Sequence, residues 1–238
     1  MSGLMKKIII SDFDDTIYVD KKIDNSSIKL IKEFRENNNL FVIASGSSYP
    51  SLINKIQDSG LEYDYLICDH GCNIIKNNKL IYSEIIDKTI IDELVNIYNL
   101  KQLGNYFVTS KDIGLVDLNN NEISKMQIEF SNQGEDFKAR DYLKEKYGNK
   151  INCYCIMHNN RIEIINGNCS KLNAINKIIE LENITDYKIY TIGDGYSDIE
   201  MTLKYNGSCV ENSVEELKKV SKKVYNNYNE FLNEIIDE

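Results

Sequence analysis

The chain has 238 residues, 42% hydrophobic and 27% charged, which excludes a disordered chain and leaves room for one large domain or two modest ones. Its formal net charge of -9 excludes the basic stripe needed to hold nucleic acid or an anionic membrane, although one site can be locally positive on an acidic protein. The isoleucines at 8–10 are too few for a secretory leader and no run elsewhere approaches the length needed to cross a bilayer, so a cytoplasmic location is expected.

Residues 7–11 read as a short β-rich run that ends abruptly in acids. Ile28, Ile31 and Phe34 then recur at helical spacing behind Asn25 and Ser26, which are expected to cap an amphipathic helix. A second buried strand is predicted over 40–44. A helix follows from near Pro50, the single proline, to near Gly60, and a third strand spans 63–68. Strands alternating with helices predict a parallel sheet with crossover connections.

The pattern changes after Cys68. Residues 73–75 and 80–82 flank Asn77-Asn78 as a hairpin. Beyond it, helices are predicted over 90–98 and 137–147, with strands near 106–109, 114–118, 124–130, 153–157 and 161–165. This mixture suggests an antiparallel α+β unit. After 166 the first pattern resumes, with a helix from Ser170, a strand over 187–192, a helix through 199–203 and a strand over 208–210. The segment from Val214 onward is expected to be mostly helical. The expected organisation is therefore α/β. A Rossmann-like core spans 1–84 and 166–238, and an α+β unit over 85–165 is inserted into it. Six scattered cysteines read as reduced thiols.

Three polar clusters each follow an apolar strand: Asp12 to Thr16, Ser45-Gly46-Ser47-Ser48, and Gly193 to Asp198. In a parallel α/β sheet such strand ends share one edge, where ligands bind. Lys171 opens the helix after the insertion and can reach that edge. Asp12, Asp14, Asp194 and Asp198 together repel one another unless a hard divalent cation joins them, and their oxygens suit Mg²⁺. A metal with one lysine favours a dianionic phosphate, to which Ser45 and the backbone around Gly46 can donate. A carboxylate can attack phosphorus, and positioning with charge neutralisation supplies most of the catalysis.

In order, spacing and residue type, Asp12-x-Asp14-x-Thr16, Ser45, Lys171 and Gly193-Asp194-x-x-x-Asp198 resemble the four motifs of the haloacid dehalogenase (HAD) superfamily. The insertion resembles the type-two cap of its Cof-like subgroup. The resemblance implies a Mg²⁺-dependent phosphatase acting on a small phosphorylated metabolite, a sugar phosphate first, through an aspartyl-phosphate. It implies that Asp12 is the nucleophile and a metal ligand. Asp14 is then the general acid/base, with its main-chain carbonyl on the metal, and Thr16 helps to hold it. Ser45, Gly46 and Lys171 bind the phosphoryl oxygens, while Asp194 and Asp198 complete the metal site.

Three positions depart from the family pattern. Asp15 replaces a frequent glycine, Ser47 a frequent arginine, and Ser197 a usual asparagine. The last two bear on phosphate and substrate contacts. His70, near the crossing between the two units, reads as a structural hydrogen-bonding residue with substrate contact as the alternative. Asp69 and Asp186 read as ordinary loop residues, and His158, Asn159 and Arg161 as a hairpin turn in the insertion. Three other functions remain open at this level: a phosphosugar mutase, a phospho-accepting signalling module without turnover, and a binding protein that keeps the fold without the activity.

Overall fold

In the computed structural model, which describes residues 6–156 and 159–238, the isoleucine run forms β1 (Lys6–Ser11) and divides between two layers. Ile9 packs with Phe34, Phe41 and Phe231, whereas Ile8 and Ile10 pack with Val42, Ile67, Ala174 and Ile178. Successive strand side chains face opposite ways, so a strand covered by helices on both faces must be apolar throughout.

A hairpin, β2 (Tyr18–Val19) and β3 (Lys22–Ile23), follows β1 and has no counterpart in the sequence reading. Then come α1 (Asn25–Glu36), β4 (Leu40–Ala44), α2 (Tyr49–Ile56) and β5 (Tyr65–Cys68). The cap of α1 is Asp24, not Asn25 or Ser26; its carboxylate accepts from the Ser26 N–H at 2.7 Å. Pro50 lies in the first turn of α2, where its missing N–H has no intrahelical partner to lose. That helix stops at Ile56, earlier than expected. A 3₁₀ turn (Asp69–Gly71) leads into the hairpin β6 (Asn73–Lys76) and β7 (Lys79–Ser83). Asn77 and Asn78 sit at φ 50° and 59°, the left-handed pair that such a two-residue connection needs.

The next stretch contains α3 (Lys88–Ile97), α4 (Leu100–Leu103), β8 (Tyr106–Ser110), β9 (Gly114–Leu115), β10 (Lys125–Glu129), α5 (Glu135–Tyr147), β11 (Ile151–Ile156) and β12 (Arg161–Asn166). The strand expected over 114–118 thus shrinks to two residues. Of the strand expected over 153–157, Met157 lies outside the described residues, as does His158. The chain ends with α6 (Lys171–Glu182), β13 (Tyr187–Gly193), α7 (Ile199–Tyr205), β14 (Ser208–Val210), α8 (Glu215–Val220), β15 (Val224–Tyr225) and α9 (Tyr228–Asp237).

Two sheets organise these elements. The larger runs β15-β14-β13-β1-β4-β5-β6-β7, parallel from β15 to β5, with the β6–β7 hairpin antiparallel at one edge. The smaller runs β11-β12-β10-β8-β9 and is antiparallel throughout. It has its own core, including Leu94, Val108, Met126, Leu143 and Ile162. The segment beyond Val214 is not purely helical, because Val224 and Tyr225 pair with Cys209 and Val210. Those two residues satisfy backbone groups that β14 would otherwise leave unpaired.

Candidate active site

Strand register brings the polar clusters together. Ser11 is level with Ile43 on β4 and with Ile192 on β13, so Asp12, Ser45 and Asp194 emerge from one edge of the sheet. The Asp12 N–H donates to the Ile192 carbonyl at 2.9 Å, which carries β1 one residue past its last pair. The chain passes from β1 to β4 on one side of it and returns through α6 to β13 on the other. The crevice at such a reversal is where open α/β sheets bind ligands.

Lys171 is the first residue of α6, whose N-cap Ser170 accepts from the Asn173 N–H at 3.1 Å. A lysine at a helix N-terminus opposes the helix dipole, and here two carboxylates reverse the balance. Its Nζ donates to Asp12 Oδ1 at 2.5 Å and to Asp198 Oδ1 at 2.7 Å, and only 1% of its side chain is exposed. The other oxygen of Asp198 accepts from the N–H groups of Asp194 (3.2 Å) and Gly195 (3.0 Å). Residue 193 has to be glycine for this turn to close, since a Cβ there would lie 2.3 Å from Asp198 Cγ.

Carboxylate oxygens of Asp12, Asp194 and Asp198 all lie within 4.8 Å of one another and are buried. One ammonium therefore faces three carboxylates. Burial raises Asp12 to about 6 against the pull of Lys171, with the Asp198 charge adding to the rise. Burial and the charges of Asp12 and Asp198 push Asp194 up to about 10. Burial alone would lower Lys171, yet Asp12 and Asp198 hold its pKa above the usual value. A cluster so short of positive charge fits a hard divalent cation, which would return these carboxylates to their ionised form.

Thr16 does not hold Asp14, as the family resemblance implied. Its hydroxyl donates to Asp194 Oδ1 at 3.1 Å, because the chain turns back after Phe13 and carries residue 16 behind the acidic cluster. The Asp14 side chain stands apart from the three clustered carboxylates. It is ion-paired with Lys55 and accepts from Ser47 Oγ at 3.0 Å. Only its main-chain carbonyl is left for the expected metal contact. Ser47 therefore binds Asp14 where an arginine was expected, and Lys55, from α2, supplies a nearby positive charge. The Lys55 ammonium also lies 5.9 Å from the Phe13 ring centre and 5.4 Å from that of Tyr18, favourable for a cation over an aromatic face.

Asp12, Asp14, Ser45, Lys55, Asp194 and Asp198 line the floor of a cavity of about 550 Å³ whose roof comes from the smaller sheet, including Phe107, Leu115, Gln127, Tyr154 and Arg161. Asn159 and Ser197 also line it, whereas Asp186 is an exposed loop residue. The cavity holds a second buried charged group that the sequence reading missed. Lys125 donates to the Gly46 carbonyl and lies 3.3 Å from Glu163 and 3.5 Å from Asp69. His70 and Glu163 share a hydrogen bond of 2.5 Å, the structural role expected for His70. Asp69, expected to be an ordinary loop residue, is fully buried and accepts from Asn73 at 2.9 Å and Thr109 at 3.1 Å. Burial would raise Glu163, but Lys125 and His70 together hold it down to about 2. Burial lowers His70, against the opposing pull of the Glu163 carboxylate. One signal for Glu163 was available: a lone charge inside the apolar run 162–165.

A family model described as haloacid dehalogenase-like hydrolase matches residues 9–137 and 115–233. A protein of Mycoplasma capricolum is 30% identical over 239 residues, covering 83% of this chain and 87% of its own. A phosphoglycolate phosphatase of Metallosphaera sedula is 22% identical, covering 91% and 90%. Among solved structures, a HAD subclass IIB sugar phosphatase superposes with a TM-score of 0.80 at 15% identity, over 97% of this chain and 99% of that one. The strand-end acids, the buried lysine and the family match agree: the chain belongs to the haloacid dehalogenase-like hydrolases.

Proposed function

We propose that this protein is a Mg²⁺-dependent phosphatase that transfers the phosphoryl group of a small phosphorylated metabolite to Asp12 and then to water. The observation that carries this reading is the placement of Lys171 Nζ between Asp12 and Asp198, with Asp194 closing a buried three-carboxylate cluster. An Asp12 carboxylate oxygen attacks phosphorus while the bond to the leaving oxygen breaks, and Asp14 protonates that oxygen. Asp14 then takes a proton from water, whose oxygen attacks the same phosphorus and frees Asp12. Ser45, the backbone at Gly46 and Lys171 hold the transferring oxygens, and Thr16 orients Asp194. Asp12, Asp194 and Asp198 with the Asp14 carbonyl would hold Mg²⁺, which when bound neutralises charge on the carboxylates and the phosphoryl group.

Residues 85–165 act in this reading as a cap that excludes bulk water and presents the leaving-group contacts, including Asn159 and Arg161. A sugar phosphate is the substrate class most in keeping with a cavity of this size and with the subclass IIB sugar phosphatase fold. The same reading carries a cytoplasmic location; no helix among the described residues is long and apolar enough to cross a membrane. The test is phosphate release from a generic aryl phosphate with Mg²⁺, using Asp12→Asn as the blank, followed by a sugar-phosphate panel. Equal release by Asp12→Asn would remove the nucleophile assignment.

A further inference from the structure

Lys125, Glu163 and Thr109 come from strands of the smaller sheet, whereas Gly46 lies in the loop after β4, and Asp69 and His70 in the 3₁₀ turn after β5, both at the end of the larger sheet. Their buried charges meet at a single contact between the two. Apolar side chains of similar volume would hold two units together at least as well, so a buried ionic contact is weak evidence of a purely stabilising role. The backbone points the same way. Asp69 and His70 are consecutive residues at φ 48° and 55°, a conformation that side chains resist and that surrounding contacts must hold. That strain places the His70 ring over residue 46, where a Cβ would lie 2.4 Å from His70 Cε1. Gly46 is thus clamped between an imidazole and the Lys125 ammonium on its carbonyl.

The clamp bears on the neighbouring hydroxyl. The Gly46 carbonyl and the Ser47 N–H belong to one planar peptide unit, so holding the first orients the second. That N–H donates to Ser45 Oγ at 3.0 Å. A serine hydroxyl that accepts from an amide keeps its own proton for another partner, and Ser45 lines the cavity. We propose that Lys125 is a positioning residue for phosphate binding: it fixes the 46–47 peptide, sets Ser45 Oγ as the acceptor of the Ser47 N–H and so turns the Ser45 proton toward the phosphate, with Glu163 and His70 steadying the ammonium. Phosphate affinity then depends on the smaller sheet being docked. This rests on the phosphatase reading of Ser45 and adds to it a residue outside the four motifs.

The experiment measures binding of inorganic phosphate to the full chain with Mg²⁺ by calorimetry, alongside aryl phosphate turnover. Lys125→Met is expected to weaken phosphate binding about ten-fold, the loss of one well-aligned donor. Ser45→Ala is expected to weaken it similarly in the wild-type background and by less than about two-fold when Lys125→Met is already present, since the two act as one unit. Additive losses, or Lys125→Met that binds phosphate as wild type while melting at a lower temperature, overturn the proposal in favour of a structural contact. If Lys125→Met does not fold, Glu163→Gln replaces it, with an expected loss of about three-fold; unchanged affinity there also overturns it. Phosphate binding without turnover of any ester sinks the phosphatase reading while the Lys125 comparison still decides the positioning claim. Turnover with unaltered phosphate affinity in Lys125→Met sinks only the latter, and wild-type protein that binds no phosphate sinks both.

Discussion

Replacing Lys171 by methionine tests the charge balance of the acidic cluster directly. The side chain is almost fully buried and bonds Asp12 and Asp198, so its loss leaves three buried carboxylates with no cationic side chain among them. Removing one partner of a buried pair costs about 3–5 kcal/mol. For a chain of this length, each kcal/mol moves the melting temperature by about 2–4 °C, which gives a fall of about 6–20 °C. Proton uptake softens the loss, since Asp12 and Asp194 already hold protons up to about 6 and about 10. The fall in chelator should accordingly be smaller at pH 6 than at pH 8. Mg²⁺ should raise the melting temperature of Lys171→Met more than that of wild type, because a more negative cluster binds a cation more tightly. Thermal melts in chelator and in Mg²⁺ at both pH values read all three effects. Equal melting temperatures in chelator at pH 8, or a smaller Mg²⁺ effect in the variant, would refute the reasoning.

Three further outcomes follow from the same geometry. The raised pKa of Asp194 stabilises the metal-free fold fully below about 3.8, and that contribution is lost as pH rises through about 10; chelated protein should therefore melt lower at pH 9 than at pH 5, with Mg²⁺ flattening the slope, and a flat profile in chelator counts against the cluster's burial. Gly193→Ala drives a methyl group into Asp198, so the Mg²⁺ concentration for half-maximal turnover should rise at least about ten-fold, the effect of losing about 1.4 kcal/mol; an unshifted titration contradicts it. Thr16→Val deletes the buried bond to Asp194 and should lower the melting temperature by about 2–8 °C, a loss of about 1–2 kcal/mol. A variant as stable as wild type would show that the hydroxyl bond contributes nothing net.

Strand and helix placement was legible wherever apolar spacing was strong. The unbroken run of Ile8, Ile9 and Ile10, the run at 40–44 and the helical face of α6 are local patterns, and a chain with both sheet faces covered has to show them. The short pieces were not. β2, β3 and β15 are two-residue strands that exist only because a neighbour is there to pair with, and Asp24 captured α1 by a bond that Asn25 or Ser26 could equally have offered on paper.

What the amino-acid sequence by itself determined was which residues stand at strand ends: Asp12, Ser45 and Asp194 follow apolar runs, and parallel register then carries them to one edge. Tertiary structure alone decided their partners. Thr16 met Asp194 and not Asp14, Lys55 met Asp14, and Lys125 reached Gly46 from a different sheet, 79 positions along the chain. Periodicity records which side of an element is buried, because burial repeats with the element. A single hydrogen bond between distant side chains leaves no such repeat, since it depends on the turn angles and packing of everything between them.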